Sequence, residues 1–313
     1  MSFELLREGY VVLEYNSNFY RLHTTKQISF SQTFQQNNVR KRTLHNLDKV
    51  IEGSSITTSN PANFSFTIFL VEGVLNYYQH IPLDLLIEPD TNLTRYLKTF
   101  NLYFVYSDYN PNIYYKIENC FFTSGNFKIP RNGIITIELT GQGSKLTRNT
   151  GSYGSLAAGY DISANFVVSR NFDIWVGSPT PNKLDNVIGA AIELQNDVEW
   201  LPNKTIQESL QVSGSNNTIF PSDFVFRERK LAGTIQQYID QSNTYSNNNV
   251  LTWAEDTSVR IKAGWSSSNY DLEFILDNSA SFTNRSNVGE VFTQNYDFRL
   301  TSTPSNWASV IIY

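Results

Sequence analysis

The same order of elements occurs twice along this chain, and this repeat constrains the fold more than any other feature of the sequence. Each half has a strand-like run, a predicted helix and a second strand-like run, at 64–70, 83–97 and 100–106 in the first half and at 220–229, 230–241 and 258–265 in the second. The strand runs are rich in aromatic and β-branched residues that suit a pleated sheet. A chain that carries one folding unit twice is often a building block.

Length and composition predict a mostly β fold with two domains. The 313 residues are enough for about two domains of ordinary size. We expect two tandem β-sandwich domains, each with one short helix, at 1–145 and 161–313. Around their junction, in residues 141–160, five of the 16 glycines lie at 141, 143, 151, 154 and 159. That composition is typical of a linker, which we place at 146–160.

Two long polar stretches interrupt the strand pattern at similar places in the two halves. Residues 35–63 and 197–219 are longer than most connections in a compact domain, and such stretches are commonly functional. We interpret the first as a long projecting hairpin or loop. The two stretches carry the cations Arg40, Lys41, Arg42, Lys49 and Lys204. The cluster at 40–42 could bind nucleic acid, meet an acidic neighbouring subunit or be solvated.

Motifs for chemistry are missing. The single cysteine, Cys120, excludes an internal disulfide framework. The three histidines, His23, His45 and His80, have no metal-ligand spacing, and no nucleophile elbow or phosphate-binding loop is present. We predict no enzyme activity, no metal and no cofactor. Paired carboxylates could serve a glycosidase, but the sequence does not select among the strand-associated acids Glu118, Glu138, Asp271, Glu273, Asp277 and Asp297.

The charge balance argues for a protein that packs on other subunits. Charged residues make up only 17% and the net charge is −5, so we expect little attraction to nucleic acid or anionic membranes. A largely neutral polar surface suits subunit packing, since few charges need desolvation. The N-terminus shows no signal peptide, and no run approaches the about 20 apolar residues of a membrane helix.

The order of strands, long loop, aromatic strand, helix and closing meander resembles the tail tube fold of long-tailed bacteriophages. The segments TLHN at 43–46 and NPANFSFTIFL at 60–70 are the part most similar to those proteins. Two copies in one chain resemble the tandem-fold tail tube proteins, in which three chains form a ring with pseudo-sixfold symmetry. The resemblance covers the chain from about residue 10 to its end.

This resemblance implies a virion structural protein that assembles in the host cytoplasm. The sheets would join into a continuous β-barrel around a channel, and the rings would stack head to tail into a tube through loops 35–63 and 197–219. Partners would be further copies, the tape-measure protein, tail terminator and tail-tip proteins. Double-stranded DNA would pass through the lumen without specific binding. Candidate lumen-facing acids are Glu118, Glu138, Glu273 and Asp297.

The alternative is a tail-tip or baseplate hub, or a carbohydrate-binding β-sandwich. In a carbohydrate-binding protein, Trp253, Trp265 and Trp307 would stack on sugars.

Overall fold

The chain folds almost entirely into antiparallel strands. A computed structural model describes residues 9–41, 51–71, 77–87, 89–90, 96–106, 113–157, 165–177, 182–201, 219–221, 223–238, 257–264, 272–288, 292–300 and 309–312. These residues contain one helix and the following strands: β1 (Tyr10–Tyr15), β2 (Asn18–Leu22), β3 (Thr24–Ser31), β4 (Phe34–Lys41), β5 (Ile51–Ser59), β6 (Ala62–Phe69), α1 (Tyr77–Ile87), β7 (Pro89–Asp90), β8 (Tyr96–Leu97), β9 (Phe100–Val105), β10 (Ile113–Pro130), β11 (Thr136–Gly143), β12 (Lys145–Thr150), β13 (Asn171–Gly177), β14 (Asn182–Leu184), β15 (Val187–Trp200), β16 (Phe224–Tyr238), β17 (Thr257–Gly264), β18 (Leu272–Val288), β19 (Phe292–Leu300) and β20 (Ser309–Ile312). The prediction of a mostly β fold is confirmed.

A long sheet runs through both halves of the chain, and each half adds a short sheet. The long sheet has the strand order β3-β6-β11-β10-β15-β16-β19-β18. The first short sheet has the order β2-β1-β9-β10-β12, and the second has the order β14-β13-β17-β18-β20. Strands β10 and β18 are therefore shared between a short sheet and the long sheet.

These shared strands bend between their two sheets. In β10, the residues up to Cys120 pair with β9 or β12, and those from Phe121 onwards pair with β11. Just before this change lies Asn119, whose φ of 51° is in the left-handed region that asparagine tolerates better than most residues. Strand β18 does the same, since residues to Leu276 pair with β17 and β20 and those from Ala280 pair with β19.

The pairing scheme of the first half recurs in the second. Eight strands of each half correspond one to one, and corresponding strands make the same pairings. In chain order they are β1, β2, β3, β6, β9, β10, β11 and β12 in the first half, and β13, β14, β15, β16, β17, β18, β19 and β20 in the second. One helix, α1, accompanies the first set. The division into domains at 1–145 and 161–313 stays a prediction.

The two halves join through a ladder that we call the seam. Strand β10 of the first half pairs with β15 of the second from Ser124 opposite Gln195 to Pro130 opposite Gly189. The seam makes the long sheet continuous across the chain. The strands at its two ends are β3, which pairs only with β6 among the described strands, and the residues of β18 beyond Ala280, which pair only with β19.

The core lies between the long sheet and the short sheets. On β6 and β11 alternate residues are buried, as for strands with one face on a core. The helix α1 packs against the same core through Leu83, Leu85 and Leu86. Its fit over β10 requires a glycine, because a Cβ on Gly125 would lie 2.3 Å from a methyl carbon of Leu86.

Both predicted helices need correction. The helix of the first half is 77–87, not 83–97, and Pro89 begins the short strand β7 beyond its end. The helix predicted at 230–241 is wrong over its described part, which belongs to β16. Leu231 and Ile235 are four residues apart, a spacing that suits one helix face and one strand face equally well. The prediction of one helix per domain therefore fails for the described residues of the second half.

The predicted linker and loops also differ from the structure. Residues 145–150 form β12 in the first short sheet, and 151–157 pack on that sheet, with Ala157 donating from its backbone to Phe19. The stretch 35–63 contains the hairpin β4–β5, as predicted. The second loop does not begin at 197, since β15 continues to Trp200 opposite Phe224; residues 202–218 lie outside the described part.

Candidate assembly surfaces

The long sheet presents a polar face on the side away from the core. Along β6 and β11 its residues alternate with buried ones, and the paired positions of the other strands share this face. Most are serine, threonine, asparagine or glutamine. They lie at opposed positions of neighbouring strands in both halves and on both sides of the seam. The residues are Ser29, Ser65, Thr67, Asn126, Lys128, Glu138, Thr140, Glu193, Gln195, Thr234, Gln236, Thr283, Asn295, Asp297 and Arg299. We call this the polar face.

Two of the four predicted lumen-facing acids lie on the polar face. Glu138, on β11, forms an ion pair of 3.3 Å with Lys128 on β10, and both side chains are about half exposed. Asp297, on β19, accepts a hydrogen bond of 2.9 Å from Thr234 on β16. Each acid thus has a cross-strand partner, and Lys128 balances the charge of Glu138.

The other two acids lie on the short sheets. Glu118 is on the first part of β10, before its bend, and pairs with Lys116 at 3.3 Å. Glu273 is on the first part of β18 and is buried between Arg260 and Lys262, each 3.1 Å from the same carboxylate oxygen. Glu273 is thus buried in the described structure, and its predicted lumen-facing position stays a prediction. The bends in β10 and β18 carry these residues away from the polar face.

The hairpin β4–β5, which we call the arm, extends from the end of the long sheet where β3 stops. Its strands pair with each other and with no other described strand. Gln32 fixes the arm's base, since its side chain donates to the carbonyls of Asn60 and Ser144 at 2.9 and 3.0 Å and accepts from the backbone of Leu146 at 2.8 Å. Of the predicted inter-ring cations, Arg40 and Lys41 lie on β4, opposite Glu52 and Ile51; Arg42, Lys49 and Lys204 lie outside the described residues.

At the same end, aromatic side chains of the two halves pack together. Trp200 of β15 and Phe224 of β16 contact Phe121 of β10, with ring centroids 5.3 and 4.4 Å apart. The indole of Trp200 also donates to Gln142 of β11 over 2.8 Å. We call this group the aromatic clamp. The sequence analysis missed it; the signal was an aromatic residue at the end of each alternating run.

Exposed apolar side chains concentrate at the two ends of the long sheet. The described residues leave seven large hydrophobic side chains exposed, by 38–45%. Phe34, Leu201 and Val225 lie at the arm end, where β15 ends and β16 begins. Ile134, Phe166 and Tyr238 lie at the opposite end, which we call the hairpin end, near the β10–β11 turn and the last residue of β16. The seventh, Leu156, packs back beside β2.

The described residues show little that could support catalysis. They contain no group of three or more histidine, cysteine or acidic side chains that could hold a metal ion. Cys120 is buried, and burial raises the pKa of its thiol well above the usual range, which makes it a poor nucleophile. The side chain of Asp277 is not described, and Asp271 lies outside the described residues, as do Trp253, Trp265 and Trp307 of the carbohydrate-binding alternative.

No helix in the part of the chain that the structure describes is long and apolar enough to span a membrane.

Comparison with known proteins identifies the family. A search of curated proteins finds no match to the chain. One protein-family model matches residues 1–312, nearly the whole length of the two halves described above. The match spans both repeats of the pairing scheme, the seam and the arm. The chain belongs to the bacteriophage baseplate tube protein family.

Proposed function

We propose that three copies of this phage tube protein join edge to edge into a closed ring, and that the rings stack into a tube. The family supports a structural component of the phage tail or baseplate. The narrower proposal is a pseudo-hexameric ring whose joined long sheets surround a channel for the tape-measure protein and DNA. We further propose that the protein is not an enzyme and that terminator and tip proteins bind the ends of the tube.

The observation that carries this proposal is the seam. It joins the bent strand of one half, β10, to the strand β15 of the other. The two edges of the long sheet offer the same pair of strand types, because β18 corresponds to β10 and β3 corresponds to β15 in the repeated pairing scheme. Pairing of β18 with β3 of a second copy would repeat the seam between chains. Three such pairings close the ring and leave no exposed sheet edge.

The polar face supports a channel that conducts DNA. DNA carries about one phosphate charge per 1.7 Å of its axis, so a basic lining would hold it. The polar face is instead mainly uncharged, with Glu138 paired to Lys128 and Asp297 bonded to Thr234. Such a lining offers hydrogen bonds to water and little net attraction to phosphate.

The two apolar ends support stacking. When rings stack head to tail, the arm end of one ring meets the hairpin end of the next, which is a heterologous contact. Each of these ends exposes three large hydrophobic side chains among the described residues. The arm would reach the neighbouring ring beyond this contact.

Engineered disulfides test the ring directly. Ser29→Cys on the β3 edge is combined in turn with Thr283→Cys, Arg285→Cys or Asn287→Cys on the β18 edge. Opposed residues of neighbouring strands bring Cβ atoms about 4.5–5.5 Å apart, close enough to bridge after a small shift. We expect one pairing to give covalent trimers under mild oxidation, seen by non-reducing electrophoresis, and electron micrographs of stacked rings.

A matched control comes from the neighbouring strand. Ser65 shares the face of Ser29 and contacts its hydroxyl at 2.8 Å, but β6 is paired on both sides within the chain. Ser65→Cys combined with the same β18 changes should therefore give no intermolecular bridge. Absence of covalent trimers from all three Ser29→Cys combinations, with a protein that stays monomeric in light scattering, would refute the ring.

The family description favours one second candidate, a short segment of tube inside the baseplate. In this case the rings form but do not continue into long filaments. Polymer length in electron micrographs of the purified protein separates the two, since a major tail tube protein should extend when nucleated and a baseplate segment should stop after a defined number of rings. The narrower identification as the major tail protein of a long-tailed phage stays a prediction.

A further inference from the structure

A partly buried arginine of the second half reaches the helix of the first half across the seam. The guanidinium of Arg229, on β16, donates to the backbone carbonyl of Ile87, the last residue of α1. Its Nε donates to Oδ1 of Asn196 on β15 over 2.6 Å. The amide nitrogen of Asn196 donates in turn to the backbone carbonyl of Phe122 on β10 over 2.9 Å. One network therefore joins α1 and β10 to β15 and β16.

Two contacts of this network satisfy backbone carbonyls, those of Ile87 and Phe122. The carbonyl of Ile87 is at the end of α1, where helical hydrogen bonds run out, and a cation there interacts favourably with the helix dipole. Phe122 lies just before the first rung of the seam, at Ser124. Burial lowers the pKa of Arg229 to about 10, so the guanidinium is still charged at neutral pH and its hydrogen bonds are charge-assisted.

The seam alone does not fix the angle between the two halves. A ladder sets which residues are opposite each other, yet adjacent strands in sheets differ in twist from about −10 to −35°. The helix α1 lies off the plane of the long sheet, on the core side. A contact from β16 to the end of α1 therefore supplies a constraint out of that plane, which the ladder lacks.

We propose that Arg229, held by Asn196, is a positioning residue that sets the angle between the two halves. This inference rests on the proposed ring, because a closed trimer with pseudo-sixfold symmetry needs one defined angle inside each chain. Arg229 touches no second copy in this role. It acts through α1 and β10 on the direction in which the free edges of the long sheet point.

The experiment compares three variants in the full-length protein. Arg229→Met removes the charge and every hydrogen bond, and Arg229→Lys keeps the charge but cannot donate in a fixed fork to two acceptors. The matched control is Arg227→Met, an exposed arginine on the same strand that pairs with Glu199. Spin labels at Thr150→Cys and Asp185→Cys, one exposed site in each half, report the distance between the halves in the monomer.

We expect a narrow distance distribution for the wild type and Arg227→Met. We expect a broad one for Arg229→Met and an intermediate one for Arg229→Lys, because loss of a charged hydrogen bond makes open arrangements on the order of tenfold more populated. In parallel, the yield of closed trimers should fall for both Arg229 variants and not for Arg227→Met.

The outcomes separate this proposal from the ring itself. A distance distribution as narrow as that of the wild type in a folded Arg229→Met protein overturns the positioning role. If Arg229→Met does not fold, the same comparison is made with Arg229→Lys, and a distribution as narrow as the wild type's overturns the role. A broad distribution with undiminished trimer yield overturns the link to ring closure. If the wild type never forms trimers, the ring proposal fails, while the distance measurement still judges the role of Arg229 within the chain.

Discussion

The aromatic clamp should hold the arm end of the seam closed, and substitution of Trp200 tests this. Trp200→Ala removes two ring contacts, with Phe121 and Phe224, each worth about 0.5–1.5 kcal/mol beyond the buried area. It also removes the hydrogen bond to Gln142, worth about 0.5–1.5 kcal/mol. Trp200 is only partly buried, so we expect a total loss of about 2–4 kcal/mol in the free energy of unfolding, which extends below the about 3–5 kcal/mol of fully buried aromatic residues changed to alanine. Trp200→Phe keeps most of the ring contact and should lose about 1 kcal/mol.

The assay is urea unfolding followed by circular dichroism, which does not depend on the fluorescence of the residue removed. Hydrogen exchange then locates the effect, since backbone amides of the seam near Ser124 and Gln195 should exchange faster in Trp200→Ala. Trp175→Ala is the control, because its ring lies between Lys183 and Lys262 on the second short sheet. A loss below about 0.5 kcal/mol for Trp200→Ala, or faster exchange at the seam in Trp175→Ala as well, would show that the clamp does not hold the seam.

Three further predictions concern stability. Gly233→Val should destabilise the protein by about 1–3 kcal/mol or more in thermal unfolding, because a Cβ there would lie 2.1 Å from the ring of Phe298; an unchanged melting temperature would contradict this packing. Glu273→Gln should lower the free energy of unfolding in urea by more than Glu138→Gln does. The Glu273 carboxylate is buried between two cations, whereas the exposed ion pair of Glu138 contributes about 0–1 kcal/mol. Equal losses for the two variants would contradict this prediction. Burial and the hydrogen bond to Glu14 raise the pKa of Tyr103. The tyrosine therefore ionises first in the unfolded state, and the free energy of unfolding should fall as the pH rises above about 10. Tyr103→Phe should make this fall shallower than in the wild type, and an identical pH profile would contradict the raised pKa.

Local patterns in the sequence were enough to predict many strands and turns. The alternation in β6 follows directly from the side-chain period of a strand, and the turn between β1 and β2 contains Asn16 at a positive φ, a conformation that asparagine tolerates. Local patterns could not separate helix from strand in β16, since Leu231 and Ile235 fit both. Only the packing of Gly233 against Phe298, a contact distant in sequence, favours the strand.

The glycine-rich segment shows the same limitation. Gly141 and Gly143 suggested a flexible linker, but both lie in β11, where a Cβ on Gly141 would meet the ring of Phe64 and the carbonyl oxygen of Phe121 at 2.3 Å each. These glycines make room for neighbours that the sequence alone does not reveal. For the candidate surfaces, the sequence named four acids on strands without their faces; the structure brings Glu138 and Asp297 to one face, while the bend in β18, invisible in the sequence, places Glu273 elsewhere.

The internal seam has a consequence for how the proposed ring responds to dilution. Half of its six joints lie within a polypeptide and do not depend on protein concentration, while a flexible tether alone would give an effective concentration in the millimolar range. Only the three joints between chains can be lost as the protein becomes scarce. The concentration of rings would then depend on the third power of the chain concentration, whereas six separate half-length chains would give a sixth power. This difference favours complete rings early in an infection, when few copies have been made.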